Sequence, residues 1–217
     1  MTFADLKTEI LTRAKSLELC PAYHAALIAT DRNGLLAAAQ DLFIWSYQAG
    51  VVDDTLLDEF TDGELNPYGI YKGGEDLTNP SIDIYYFKSG GPNVTIDGNN
   101  KCKISVMGEV QLQLTLSDNA YANVKCYDES LANIELDTKA SCNLELVQHG
   151  YSAIIASDDS FVQLIASDNT AASYTGNNNS RAIIKGFNHT LINYITNDSA
   201  SVTANAYGQS IITNNPV

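Results

Sequence analysis

The sequence predicts a mainly β protein: a parallel β-solenoid with an N-terminal α-helical module. From Ser81 to Thr213 the fourth place of each ten-residue block stays apolar through thirteen consecutive blocks, from Ile84 to Ala204. Places two residues to either side are mostly apolar or small, and this alternation is typical of one buried strand face. A fixed long period indicates one structural unit stacked many times. We therefore expect the chain to wind repeatedly through equivalent strands.

Each coil of the solenoid is predicted to contain two decapeptide repeats, about 20 residues. The seventh place alternates along the blocks between a bulky or apolar residue and a polar one. The first series is Phe87, Met107, Tyr127, Val147, Ser167, Phe187 and Tyr207, and the second is Asp97, Ser117, Asp137, Ser157, Asn177 and Asn197. A coil of three blocks would stack Asp128 on Asp158 about 4.8 Å apart, where like charges repel. Two strands and two turns per coil are therefore expected.

Three segments are predicted along the chain: a helical module over 1–60, a connector over 61–80 and the solenoid over 81–217. The helices expected in the module are Thr2–Leu19, Ala22–Ala29, Leu35–Tyr47 and Asp53–Phe60. Apolar residues follow one another there at helical spacing. The connector is rich in glycine, proline and asparagine, which favour turns, and a short strand is expected at 69–71.

The composition limits the partners that this chain is expected to bind. Its formal net charge is −14, whereas nucleic acids and anionic membranes require clustered lysine and arginine. No run of about 18 apolar residues is present, and the start has no basic segment followed by an apolar one. These features predict a cytoplasmic protein, or a component of a phage particle. Three cysteines at core places, Cys102, Cys126 and Cys142, fit a reducing compartment.

One edge of the solenoid is the first candidate interaction surface. Its turns have a large apolar residue on each side, whereas the turns of the opposite edge are mostly polar. The residues concerned are Tyr127, Leu131, Tyr151, Phe187, Leu191, Tyr207 and Ile211. Two interpretations are open: these side chains point inward as the wide end of the core, or they form an exposed apolar strip typical of an interface.

Two further surfaces are expected to support self-association. Ile155, Ile165, Ile183 and Ile195 occupy outward places and are predicted to form an apolar patch over the middle and later coils. The last coil is expected to expose an unpaired strand edge, which promotes association. A homo-oligomer is therefore predicted, with a further protein partner also possible.

The repeats carry a resemblance to a known group of proteins. The blocks Ala-Asn-Val-Lys-Cys-Tyr-Asp-Glu-Ser at 122–130 and Ala-Asn-Ile-Glu-Leu-Asp-Thr-Lys-Ala at 132–140 resemble the decapeptide arrays of uncharacterised proteins from gut bacteria and their phages. Some of those proteins also have a short helical module in front. The resemblance covers about 130 residues of repeat. It implies a solenoid in a phage or prophage context and no catalytic residues.

The sequence predicts no catalytic residues, no cofactor and no metal site. It has no phosphate-binding loop, nucleophile elbow or His-Glu zinc motif, and its turns lack the glycines of calcium-binding β-rolls. The expected function is that of a non-enzymatic structural or protein-interaction protein, with the solenoid as rigid scaffold and partner surface. The alternative is a carbohydrate-binding or carbohydrate-processing β-helix protein. Such a protein gathers aromatic residues in one groove, whereas Tyr85, Tyr86, Tyr121 and Phe161 are dispersed here, which counts against it.

Overall fold

The structure, a computed structural model, describes residues 1–15, 21–40 and 42–215 of the chain. It divides into two compact units, Met1–Tyr71 and Lys72–Val217. The first is mainly helical and the second is built from parallel strands. Residues 61–80, which the sequence identifies as a connector, are thus shared between the two units.

Among its described residues, the first unit contains six helices, one turn of 3-10 helix at Asn66–Tyr68 and a short strand. The helices are α1 (Phe3–Lys15), α2 (Pro21–Ile28), α3 (Arg32–Gln40), α4 (Phe43–Gln48), α5 (Asp54–Leu57) and α6 (Asp62–Leu65), and the strand is β1 (Ile70–Tyr71). The continuous helix predicted over 35–47 is wrong, because Leu42 has a non-helical conformation (φ −125°) and separates α3 from α4. Residues 16–19 of the first predicted helix lie outside the described residues.

Helix starts in this unit follow from local capping. Thr2 and Asp5 exchange hydrogen bonds at the start of α1, as in a capping box. The Asp53 carboxylate accepts from the Leu56 N–H at the start of α5, which is why this helix begins one residue later than predicted. Thr61 and Glu64 form a capping box in front of α6, a helix that lies inside the predicted connector.

Over residues 72–215 the second unit contains sixteen strands. They are β2 (Leu77–Thr78), β3 (Ile84–Tyr86), β4 (Ser89–Gly90), β5 (Asn93–Ile96), β6 (Lys101–Val106), β7 (Glu109–Leu116), β8 (Tyr121–Cys126), β9 (Leu131–Leu136), β10 (Ser141–Leu146), β11 (Tyr151–Ala156), β12 (Phe161–Ser167), β13 (Ala171–Gly176), β14 (Arg181–Phe187), β15 (Leu191–Thr196), β16 (Ser201–Tyr207) and β17 (Ile211–Asn214).

Successive strands alternate between two parallel sheets. Within the second unit, sheet A contains β3-β6-β8-β10-β12-β14-β16 and sheet B contains β2-β5-β7-β9-β11-β13-β15-β17, and the short β4 pairs with β7 outside this order. Stacked partners are twenty residues apart: Tyr121 pairs with Ser141, and Ser141 pairs with Phe161. The predicted parallel β-solenoid with two decapeptide repeats per coil is confirmed. It has about seven coils, because sheet A contributes one strand to each.

The core lies between the sheets and is filled by the even places of each block. At the fourth place of sheet A, Ile104, Val124, Leu144 and Leu164 stack on one another with at most 1% exposure. The tenth place is buried and small, with Ala, Ser, Thr or Gly at each turn from Ala120 to Thr190. Cys102, Cys126 and Cys142 are buried free thiols, as predicted, and Cys20 lies outside the described residues.

The turns repeat one backbone conformation. The residue at the tenth place donates its N–H to the carbonyl at the seventh, as Ala120 does to Ser117 at 3.1 Å. The eighth place between them takes positive φ, a conformation that favours glycine, asparagine and aspartate. Residues with positive φ at this place are Lys88, Gly98, Gly108, Asp118, Asp128, Thr138, Gln148, Asp158, Asp168, Asn178, Asn188, Asp198 and Gly208.

Hydrogen bonds join the eighth places of successive coils into a ladder. The Asn178 side-chain amide donates to the Asp158 carboxylate at 2.8 Å, and the Asn188 amide donates to Asp168 at 2.7 Å. The Asp198 carboxylate accepts from the Asn178 backbone N–H at 3.4 Å. Acidic residues alternate with uncharged ones along each ladder, so each of these carboxylates lies next to a donor.

Candidate interaction surface

The apolar edge is the set of turns by which the chain passes from sheet A to sheet B. We define it by Tyr127, Leu131, Tyr151, Phe187, Leu191, Tyr207 and Ile211. Tyr127, Phe187 and Tyr207 occupy the seventh place at the ends of sheet A strands. The other four begin strands of sheet B, where side chains at odd places point away from the core.

Burial divides the apolar edge into an inward part and an outward part. Tyr127 is 7% exposed and belongs to the core, and burial raises the pKa of its hydroxyl. By contrast Tyr151, Leu191, Tyr207 and Ile211 are exposed, by 45%, 48%, 47% and 59%. Leu131 and Phe187 are half-buried. Each of the two interpretations left open by the sequence therefore holds for part of the edge, and the exposed part lies toward the last coils.

The exposed row contains a depression. Register places Tyr151, Ala171, Leu191 and Ile211 one above another at the same place of four successive coils of sheet B. Ala171 is the small member, and beside it Ala153 and Ser173 are small as well. The resulting depression has a volume of about 260 Å³ and is lined mostly by carbon, and Leu131, Tyr151 and Leu191 are the large side chains among the residues that line it. It is smaller than most small-molecule sites, which are about 300–1,000 Å³.

Aromatic stacking fixes the end of the apolar edge. The rings of Phe187 and Tyr207 are parallel to within 9°, and their centroids are 4.8 Å apart, which is the separation of the strands that carry them. Offset stacking at this distance stabilises a ring pair. The exposed face of Tyr207 therefore has a defined orientation at the last coil.

The four outward isoleucines lie on two different faces. Ile155 and Ile195 belong to β11 and β15 of sheet B, whereas Ile165 and Ile183 belong to β12 and β14 of sheet A. The single patch predicted from the sequence is therefore wrong, because consecutive blocks face opposite sides of a two-sheet coil. On sheet B, Thr175 separates Ile155 from Ile195.

Among the described residues, no further coil packs on the core face of the last coil. Sheet A ends with β16 and sheet B with β17, so each has one strand edge without a neighbour among the described residues. The inward side chains of these strands are exposed or half-exposed, whereas their counterparts Ala182, Ile184 and Ile192 one coil earlier are buried. We call this surface the open end and define it by Val202, Ala204, Ala206 and Ile212. Sequence reasoning expected the free edge but missed these four residues, because their places are core places in all earlier coils.

Side chains that could support carbohydrate processing or metal binding are dispersed over the solenoid. Glu135 lies on β9 of sheet B and Glu145 on β10 of sheet A, where it pairs with Lys125 at 2.6 Å. Tyr86, one of the four aromatic candidates for carbohydrate binding, is fully buried and donates its hydroxyl to the Glu75 carbonyl. Within the described ranges, no group of three or more His, Cys, Asp or Glu side chains is arranged to hold a metal ion.

Comparisons with protein-family models, curated proteins and solved structures give no match to this chain. In the part of the chain that the structure describes, no helix combines the length and the apolar character needed to cross a membrane.

Proposed function

We propose that this chain is a non-enzymatic structural protein, in which the solenoid serves as a rigid scaffold and the exposed part of the apolar edge binds a second copy of the chain. The observation that carries the proposal is the row of exposed apolar side chains in register on successive coils, ending in Leu191 and Ile211. Large apolar side chains aligned on a rigid surface are typical of interfaces.

A second copy fits this edge because the edge offers both a projection and a recess. Leu191 projects beside the depression at Ala171, and Tyr151 projects on its other side. In a two-fold interface each partner presents the same surface, so the projection of one copy enters the recess of the other. The volume of about 260 Å³ accommodates one inserted side chain, and inserted aliphatic or aromatic groups commonly dominate binding energy.

The experiment measures solution mass by light scattering for the wild type and two matched variants. Leu191→Asp introduces a carboxylate into the apolar edge at an exposed position, and Asn179→Asp introduces one at an exposed position on the polar edge. We expect Leu191→Asp to have a lower mass than the wild type and Asn179→Asp to have the wild-type mass. Equal masses for all three proteins would refute the edge as an interface between copies.

The alternative function, carbohydrate binding or processing, is tested separately. A glycan array probed with the wild-type protein distinguishes it from the structural role, since an interaction scaffold has no reason to retain one glycan class. The phage or prophage origin, and with it a location in the cytoplasm or in a phage particle, also remains part of the proposal. Its support is the resemblance of the blocks at 122–130 and 132–140.

A further inference from the structure

The open end exposes side chains at inward positions, most of which are buried in the earlier coils. Val202 and Ile212 are half-exposed, and Ala204 and Ala206 are exposed, although all four occupy inward places. Their strands also have unsatisfied pairing edges, because β16 and β17 terminate their sheets. Exposing apolar core positions and free strand edges to water costs free energy, so this end is complementary to a partner that supplies another coil.

Charge makes the open end different from the rest of the molecule. All 12 lysines and arginines and all 26 aspartates and glutamates precede Ser199. The strands β16 and β17 and the turn between them therefore have no charged side chain, and Asp198, in the polar turn before β16, is the one acidic residue of the last coil. Edge strands of natural sheets are commonly protected by charged residues, and β16 and β17 have none. Two acidic molecules that meet at these ends bring uncharged strands together, and each copy contributes only Asp198 as an acidic side chain from its last coil.

We propose that two copies of the chain associate end to end through Val202, Ala204, Ala206 and Ile212, with β16 and β17 extending both sheets across the junction. A second copy is the partner because it offers two strands of the same length and spacing as the end that it covers. The opposite end of sheet B is the two-residue β2, which is too short to pair with the four-residue β17 in a head-to-tail stack.

The geometry of such a junction follows from the solenoid itself. The strands of one coil run in opposite directions in the two sheets, so a two-fold axis across the end pairs them antiparallel whichever sheets meet. Antiparallel pairing satisfies the free N–H and C=O groups of both copies. A coil contributes about 20 residues, which matches the 20–30 residues per side of a standard interface. The junction uses inward residues of the last coil, whereas Leu191 of the apolar edge points outward and lies one coil before the end, so substitutions can test the two surfaces separately.

The experiment separates the two interfaces. Light scattering measures the full chain with Leu191→Asp as background, so that edge-to-edge association is removed. We expect the mass of this variant to rise toward that of two chains as the protein concentration is increased to about 1 mM, where a Kd of about 1 mM already pairs about half of the chains. Adding Ala204→Asp, which buries a carboxylate at the junction, is expected to reduce the mass to one chain.

Thr203→Asp is the matched control, since Thr203 lies next to Ala204 on β16 but points away from the core. In the Leu191→Asp background it is expected to leave the two-chain mass unchanged. Hydrogen exchange supplies a second readout: amides of β16 and β17 are expected to be protected in the two-chain species and exposed after Ala204→Asp. Protection of β8 and β10 in all variants establishes that the solenoid is folded.

Three outcomes would overturn the proposal. The first is a one-chain mass for the Leu191→Asp variant. The second is a two-chain mass that survives the addition of Ala204→Asp, and the third is equal loss of association with Ala204→Asp and Thr203→Asp. Failure of the apolar-edge proposal gives a different result, in which Leu191→Asp has the same mass as the wild type.

Discussion

The alternation of acidic and uncharged residues along the turn ladder predicts a graded response to added charge. Asn178 lies between Asp158 and Asp198, whereas Asn188 lies between Asp168 and Gly208. Asn178→Asp therefore creates two like-charge pairs, and Asn188→Asp creates one. The two variants should not differ in backbone strain, since aspartate already takes φ of 55° to 60° at the eighth place of other turns.

The magnitudes follow from the strand spacing. Exposed carboxylates about 5–6 Å apart in a medium of dielectric constant about 80 repel by about 0.7 kcal/mol per pair. Each substitution also removes an amide-to-carboxylate hydrogen bond with a net value of about 1 kcal/mol. The expected loss in the free energy of unfolding is therefore about 2.4 kcal/mol for Asn178→Asp and about 1.7 kcal/mol for Asn188→Asp.

Urea denaturation at low and high ionic strength measures this difference. At about 1 M salt the screening length falls to about 3 Å, so the repulsive part disappears and each variant retains a loss of about 1 kcal/mol. Equal losses at low salt would refute the role of alternation. So would a difference between the variants that persists at high salt, because a salt-independent difference has a source other than charge repulsion.

Three further predictions concern packing, thiol reactivity and pH. Gly186→Ala is expected to cost about 1–3 kcal/mol in urea unfolding, because its new Cβ would lie 2.6 Å from the Thr190 hydroxyl oxygen. Adding Thr190→Ala should recover part of that loss. A double variant whose loss equals the sum of the two single losses would contradict the steric explanation. Burial raises the pKa of the Cys126 thiol to about 12, so peptide mass spectrometry should find it alkylated by iodoacetamide at pH about 8 only after unfolding. The hydrogen bond from Arg32, followed by the one from the Thr61 N–H, lowers the pKa of Glu64 to about 2. This folded-state pKa lies below the unfolded value, so Glu64 stabilises the fold above pH about 4.3 and the effect disappears as the pH falls toward 2. Glu64→Gln should lose about 1 kcal/mol by helical circular dichroism in urea at neutral pH and nothing near pH 2, and a loss that does not change with pH would contradict this.

The solenoid was predictable because its constraints repeat. A single apolar residue such as Leu144 is ambiguous between helix and strand, but the same place apolar in every block leaves only stacked strands. The coil length followed from the seventh place, where Tyr127 and Asp137 represent two different edges. A change in spacing within one repeat would shift all later coils out of register, so the pattern is strict.

Other features were hidden because they depend on three-dimensional position. The outward isoleucines Ile155 and Ile165 are similar in the sequence, and only the two-sheet coil places them on opposite faces. The break between α3 and α4 comes from the backbone at Leu42, which has a good helix-forming side chain. Ala204 is a core residue by pattern, and its exposure results only from its place in the last coil.

Each residue of the solenoid stacks on the residue twenty positions earlier, and this determines how the length of the protein can change. Removing residues 137–156 would bring Ser157 to the position of Asp137 and leave every later residue above an equivalent neighbour. Removing only 137–146 would move Val147 to the polar edge and reverse the two sides of all later coils. The height of the solenoid therefore changes in steps of one coil, about 4.8 Å. Duplication or loss of whole coils is the change in length that the fold tolerates.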